Sequence, residues 1–123
     1  LAASLSDGSV RLYGIPNCDQ VKKARAWLEA HAVPFAFHDF KKLGLPAELA
    51  QDWLKRLGPD TLINRKGTTW RALPDARKAL VDKASGAIAL IMEQPSLVKR
   101  PVLAWNDHLS VGFDPARYAA LFP

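Results

Sequence analysis

RLYGIPNCDQVKKARAWLEAHAVPFAFHDF, residues 11–40, reads as a strand, a helix and a second strand. Val10, Leu12 and Gly14 face one way and Arg11 and Tyr13 the other, the period-2 pattern of a strand running from Val10 to Gly14. Ile15, Pro16 and Asn17 turn the chain. Asn17 is the expected helix cap, with Gln20 three residues later completing a capping-box-like pair. Val21, Ala24 and Leu28 then recur at helical spacing with Trp27 alongside, and the helix runs from about Asp19 to about His31. Pro34 to His38 form the second strand, so the opening is a β-α-β unit, which favours a parallel pair with a right-handed crossover. Cys18, the only cysteine, falls at the first turn of this helix. Unpaired N–H groups and the positive end of the macrodipole there favour a thiolate. A free cysteine is also among the most buried residue types and commonly packs as an inert hydrophobe, so residue type alone leaves both readings open.

Further along, the chain turns helical and then returns to strands. Pro46 suits a first helical turn, Leu49, Trp53, Leu54 and Leu57 share a face, and Gly58-Pro59 ends the element. A loop carries residues 64–71, a helix starts at Pro74, and Ser85 caps another that reaches Glu93 before Pro95. Val102 to Trp105 and His108 to Gly112 flank Asn106-Asp107, which tolerate the left-handed turn of a tight hairpin. Asp114 and Pro115 open a last helix with Tyr118, Leu121 and Phe122 on its buried side. The order β-α-β, helices, β-β, α predicts an α/β fold, a thioredoxin-like mixed sheet with a helical insertion. Residues 10–123 are expected to form one such domain after a flexible N-terminal leader over residues 1–9.

Composition narrows the function classes. The chain has 123 residues, 49% of them hydrophobic and 24% charged, as in an ordinary globular protein. No apolar run approaches the ~18 residues of a membrane span. A single cysteine cannot form an internal disulfide, which suits a reducing, cytoplasmic setting. The net charge of +5 comes from basic pairs at most, such as Lys22-Lys23 and Lys99-Arg100, dispersed among acidic residues. That pattern argues against nucleic acid and for a small anion as partner. The three histidines have no metal-ligand spacing, so neither a metal nor a tightly bound cofactor is expected.

Three stretches, LYGIPNCDQVKKARAWLEAHAVPFAFHDF, NRKGTTWRAL and VKRPVLAW, carry a resemblance. Together they resemble the ArsC family of arsenate reductases with its Spx and YffB relatives, most of all the YffB type, from about Arg11 to Gly112. In arsenate reductases the cysteine after the first strand attacks arsenate, glutathione opens the adduct and a glutaredoxin completes the reduction. Cys18 matches that cysteine. Arg65 and Arg100 match the two arginines that hold the oxyanion, and Pro101 matches the proline beside the cysteine, typically preceded by a cis bond.

Physical chemistry makes those roles reasonable. A helix terminus contributes about 0.3–1 kcal/mol, up to ~2 when partly buried, and one pKa unit is about 1.4 kcal/mol. An arginine within ~4–6 Å of the sulfur lowers its pKa by a further ~1–3 units. Planar guanidinium groups also bind oxyanions through paired N–H donors. Each residue has a plainer alternative: Arg65 can decorate a solvated loop, and Arg100 can pair with Glu93 or cap the preceding helix. Trp70 serves equally as a packing anchor or a substrate wall.

The chain also departs from the arsenate reductases. They have a histidine four residues before the cysteine and a serine three after it, where this chain has Gly14 and Val21. Their third arginine, in the last strand region, is replaced by Val111, Gly112 and Phe113, with Arg117 in the last helix. Each lost charge-assisted hydrogen bond is worth ~1.5–3 kcal/mol. The resemblance with these departures implies a glutathione-dependent thiol reductase using Cys18 alone, with glutathione or a small thiol as co-substrate. A glutaredoxin or an oxyanion substrate is a further partner it allows. The competing expectation is a non-enzymatic, Spx-like interaction protein. Spx proteins carry a Cys-x-x-Cys switch, which Val21 rules out here.

Overall fold

The computed structural model describes residues 9–123, so the leader expected over residues 1–9 lies outside the described residues except for the exposed Ser9. Strand β1 (Val10–Gly14) is followed by helix α1 (Asp19–Ala30) and strand β2 (Phe35–Asp39). The second strand sits one residue later than its sequence pattern suggests. Pro34 has no N–H for the ladder, and parallel pairing runs from Val10–Phe35 to Gly14–Asp39. Strands β3 (Val102–Trp105) and β4 (His108–Val111) form a hairpin turned by Asn106, whose φ of 52° is left-handed as expected. The sheet order is β2-β1-β3-β4, with β3 antiparallel to both β1 and β4. Helix α8 (Pro115–Leu121) closes the chain, and the Asp114 carboxylate accepts the Ala116 N–H at 3.1 Å as its cap. The fold is therefore the expected α/β one, a thioredoxin-like mixed sheet with a helical insertion.

The described chain falls into two compact units. The first holds the sheet, from residues up to Asp39 and from Arg100 onward. Its core is Val10 and Leu12 of β1, Ala24 and Leu28 of α1, Leu103 of β3 and Tyr118 of α8. Period 2 on the strands and the i, i+4 spacing of Ala24 and Leu28 bring these side chains to one layer. Full burial of a leucine is worth about 1.5–3 kcal/mol, so Leu12, Leu28 and Leu103 anchor α1 to the sheet. Trp27 packs edge-on to Tyr118, with ring centres 5.6 Å apart.

The second unit, Phe40 to Lys99, is the insertion. It comprises α2 (Phe40–Leu43), α3 (Ala47–Leu57), α4 (Pro59–Leu62), α5 (Thr68–Arg71), α6 (Asp75–Lys78) and α7 (Ala84–Glu93), with 3-10 turns at Ala79–Asp82 and Pro95–Leu97. On α3 the buried residues are Ala50, Trp53 and Leu54, and Leu49 and Leu57 flank them half-buried. Gly58, at φ 80°, ends α3, as glycine can without steric cost. Pro59 then opens α4 instead of merely stopping its predecessor. The end of the expected 64–71 loop winds into α5. Ser85 is not a cap: Lys83 stands at that position and Ser85 is already inside the first turn of α7. No helix among the described residues is long and apolar enough to cross a membrane.

Candidate active site around Cys18

The sheet register assembles this site from distant parts of the sequence. Tyr13 of β1 pairs with Val102 of β3, so the residues just before Val102 meet the chain as it leaves β1 for α1. Those residues are Arg100 and Pro101, joined by a cis peptide bond. Pro101 is buried, and its carbonyl accepts the Gly112 N–H at 2.9 Å, continuing the hairpin ladder.

Cys18 itself is the N-cap of α1, with extended dihedrals (φ −134°, ψ 127°), and its carbonyl accepts the Lys22 N–H at 2.9 Å. This corrects the expectation for Asn17. Helical dihedrals begin only at Asp19, so the exposed Asn17 lies one residue outside the cap. The Cys18 side chain closes no cap hydrogen bond; the N–H groups of Gln20 and Val21, the second and third residues of the helix, act on it by lowering the thiol pKa. These are the donors an N-cap side chain ordinarily satisfies.

Partial burial pushes the Cys18 thiol up, but other effects outweigh it. The Val21 N–H, the Arg100 side chain and the Gln20 N–H, together with the Arg100 charge, leave the pKa below the usual thiol value. The sulfur is half-buried and next to a cation, the setting of a reactive cysteine rather than a structural one.

The structure thus brings Arg100 to Cys18 within the sheet unit, with Pro101 between Arg100 and the start of β3. Arg65 belongs to the insertion, where Nη2 lies 3.0 Å from Asp60 Oδ1 and the guanidinium stands 5.3 Å over the Trp70 ring. Glu93 pairs with Arg77, not with Arg100. Arg117 donates to the carbonyls of Val111 at 3.2 Å and Gly112 at 2.7 Å, tying α8 to the end of β4. The histidines have local roles: His31 stacks on Trp27, His38 lies beside Tyr13, and His108 bonds Ser110. No group of three or more potential ligands among the described residues is placed to hold a metal ion. The first-turn N–H groups that favour a thiolate are the ones expected from the position of Cys18, and only the cap residue differs from expectation.

Comparison with known proteins places these features in context. The family model described as "ArsC family" matches residues 13–121. The solved structure of the YFFB (PA3664) protein is 45% identical, with a TM-score of 0.88, covering 94% of this chain and all of that one. An arsenate reductase (ArsC) related protein from Brucella melitensis is 51% identical with a TM-score of 0.73, covering 95% of this chain and 97% of that one. Global transcriptional regulator Spx 1 of Lactococcus lactis is 27% identical over 117 residues, spanning 93% of this chain and 89% of the regulator.

Proposed function

This chain belongs to the ArsC family, and on that premise we propose that it is a glutathione-dependent thiol reductase with Cys18 as its nucleophile. The observation that carries this reading is Cys18 as the N-cap of α1, where the first-turn N–H groups and the Arg100 guanidinium hold its thiol pKa below the ordinary value. In the first step the Cys18 thiolate attacks one sulfur of a disulfide substrate; a Cys18–S bond forms, the substrate S–S bond breaks and a substrate thiolate leaves. Glutathione thiolate then attacks the substrate sulfur of this mixed disulfide, regenerating Cys18 thiolate and releasing a glutathione mixed disulfide. With one cysteine in the chain, the resolving thiol must come from outside. Arg100 orients the incoming group.

Arsenate fits less well, because Gly14 and Val21 offer no polar side chain and Arg117 is engaged by strand carbonyls. The Spx likeness supports a second reading, a protein that acts by binding a partner. On that reading Cys18→Ser leaves function intact.

The test is the rate of Cys18 alkylation against pH, with mass spectrometry of the protein after exposure to oxidised glutathione. The expected midpoint lies below the free-thiol value of ~8.5, with one glutathione added at Cys18. A midpoint at or above that value, with no adduct, overturns the proposal.

A further inference from the structure

Gly14, the last residue of β1, is buried, and a Cβ built on it would stand 2.7 Å from Val21 Cγ2. Val21 is fully buried on the first turn of α1. The two residues therefore pack against each other across the turn that carries Cys18, and they do so only because position 14 has no side chain. Val21 is β-branched and stiff at χ1, so a methyl group at position 14 could not be absorbed by turning the valine side chain aside. The first turn of the helix would have to move instead. That turn follows Cys18 as its N-cap and carries the N–H groups of Gln20 and Val21, which lower the Cys18 thiol pKa.

We infer that Gly14 and Val21 are a positioning pair: their close packing seats the first turn of α1 against the end of β1 and so aims its N–H groups at the Cys18 sulfur. Neither residue touches substrate. This deepens the proposed function, since it rests on Cys18 reacting as a thiolate. It also gives a physical reason for a small residue at the end of β1 that turn chemistry does not supply, since Gly14 is not among the residues with left-handed φ.

The experiment is the alkylation profile of Cys18 for the native chain, Gly14→Ala, Val21→Ala and Gly14→Ala/Val21→Ala. Gly14→Ala is expected to raise the midpoint by about half to one pH unit, slowing alkylation at pH 7 roughly 3- to 10-fold. Val21→Ala keeps its N–H and is expected to change the midpoint little. The double variant, with room restored, is expected to return it to the native value. A merely structural role for Gly14 would lower the melting temperature of the folded variant without moving its pH profile. An unchanged midpoint in Gly14→Ala overturns the inference, as does a double variant that stays as displaced as the single one. If Gly14→Ala does not fold, a folded double variant with the native midpoint supports the pair, and an unfolded one overturns it. Failure of the functional reading looks different: the native chain itself would titrate like a free thiol.

Discussion

At Cys18 burial and the neighbouring N–H groups oppose each other, and the balance depends on one side chain remote in sequence. Partial burial raises the thiol pKa; the Val21 N–H, Arg100 and the Gln20 N–H bring it below the ordinary value. Arg100 acts twice, as donor and as charge. Arg100→Gln keeps an amide donor and removes the charge, so the alkylation midpoint is expected to rise by about one unit, the low end for an adjacent arginine. Arg100→Lys should recover only part of this, because an ammonium lacks the planar fork. A midpoint unmoved in Arg100→Gln would mean that the helix N–H groups alone set the reactivity. The linked effect on stability has a definite sign. A thiol pKa lower in the folded state contributes stability above its unfolded pKa, and that contribution is lost as pH falls through the folded value. Cys18 and Arg100 were both legible as candidates from their motifs. Arg65 was legible as a candidate too, but its contacts with Asp60 and Trp70 depend on how the 59–71 segment folds.

At the scale of elements, the two helices of the sheet unit show when a cap can be read from sequence. Asp114 before Pro115 is a strong pair, since aspartate accepts first-turn N–H groups and proline is pre-set for the first helical position. The structure closes that cap on Ala116. Helix α8 has seven residues, too short to hold on propensity alone. Asp114→Ala is therefore expected to cost about 0.5–2 kcal/mol, measured by urea unfolding, with loss of less than a few tenths showing that packing of Tyr118 alone holds the helix. Asn17 and Ser85 look as favourable as Asp114 by residue type, and both fail. A cap is fixed by where helical dihedrals begin, and at α1 they begin at Asp19, with Val21 buried in the first turn. Element identities were recoverable where period-2 and helical spacings survive, in β1, β3, α1 and α3, whereas the four-residue helices α2, α4 and α5 are too short to show a period.

For the molecule as a whole, the aromatic core governs the response to alkali. Burial pushes Tyr118 up to about 12 against a smaller opposing effect of Arg117, and burial raises Tyr13 as well. A phenol whose pKa is higher in the folded state contributes stability that is full below the unfolded value near ~10 and is lost as pH rises through the folded one. Unfolding free energy is thus expected to fall by of order 2 kcal/mol between about pH 10 and 12 on account of Tyr118. Tyr118→Phe should flatten that slope in denaturant melts. The same variant should be neutral or stabilising at pH 7, since the Tyr118 hydroxyl is buried without a hydrogen-bond partner among the described residues. An equally steep slope in Tyr118→Phe would assign the alkaline loss to other groups. The strands, the longer helices, the family and the chemical candidates are legible from residue order, because hydrophobic period, turn residues and motif spacing are local properties of a chain. Three-dimensional packing alone decides that Arg100 rather than a nearer cation acts on Cys18 and that Gly14 must be bare for Val21 to fit. Those facts follow from β1 pairing with β3 and from close packing across the turn, and each brings together atoms whose proximity no local pattern encodes.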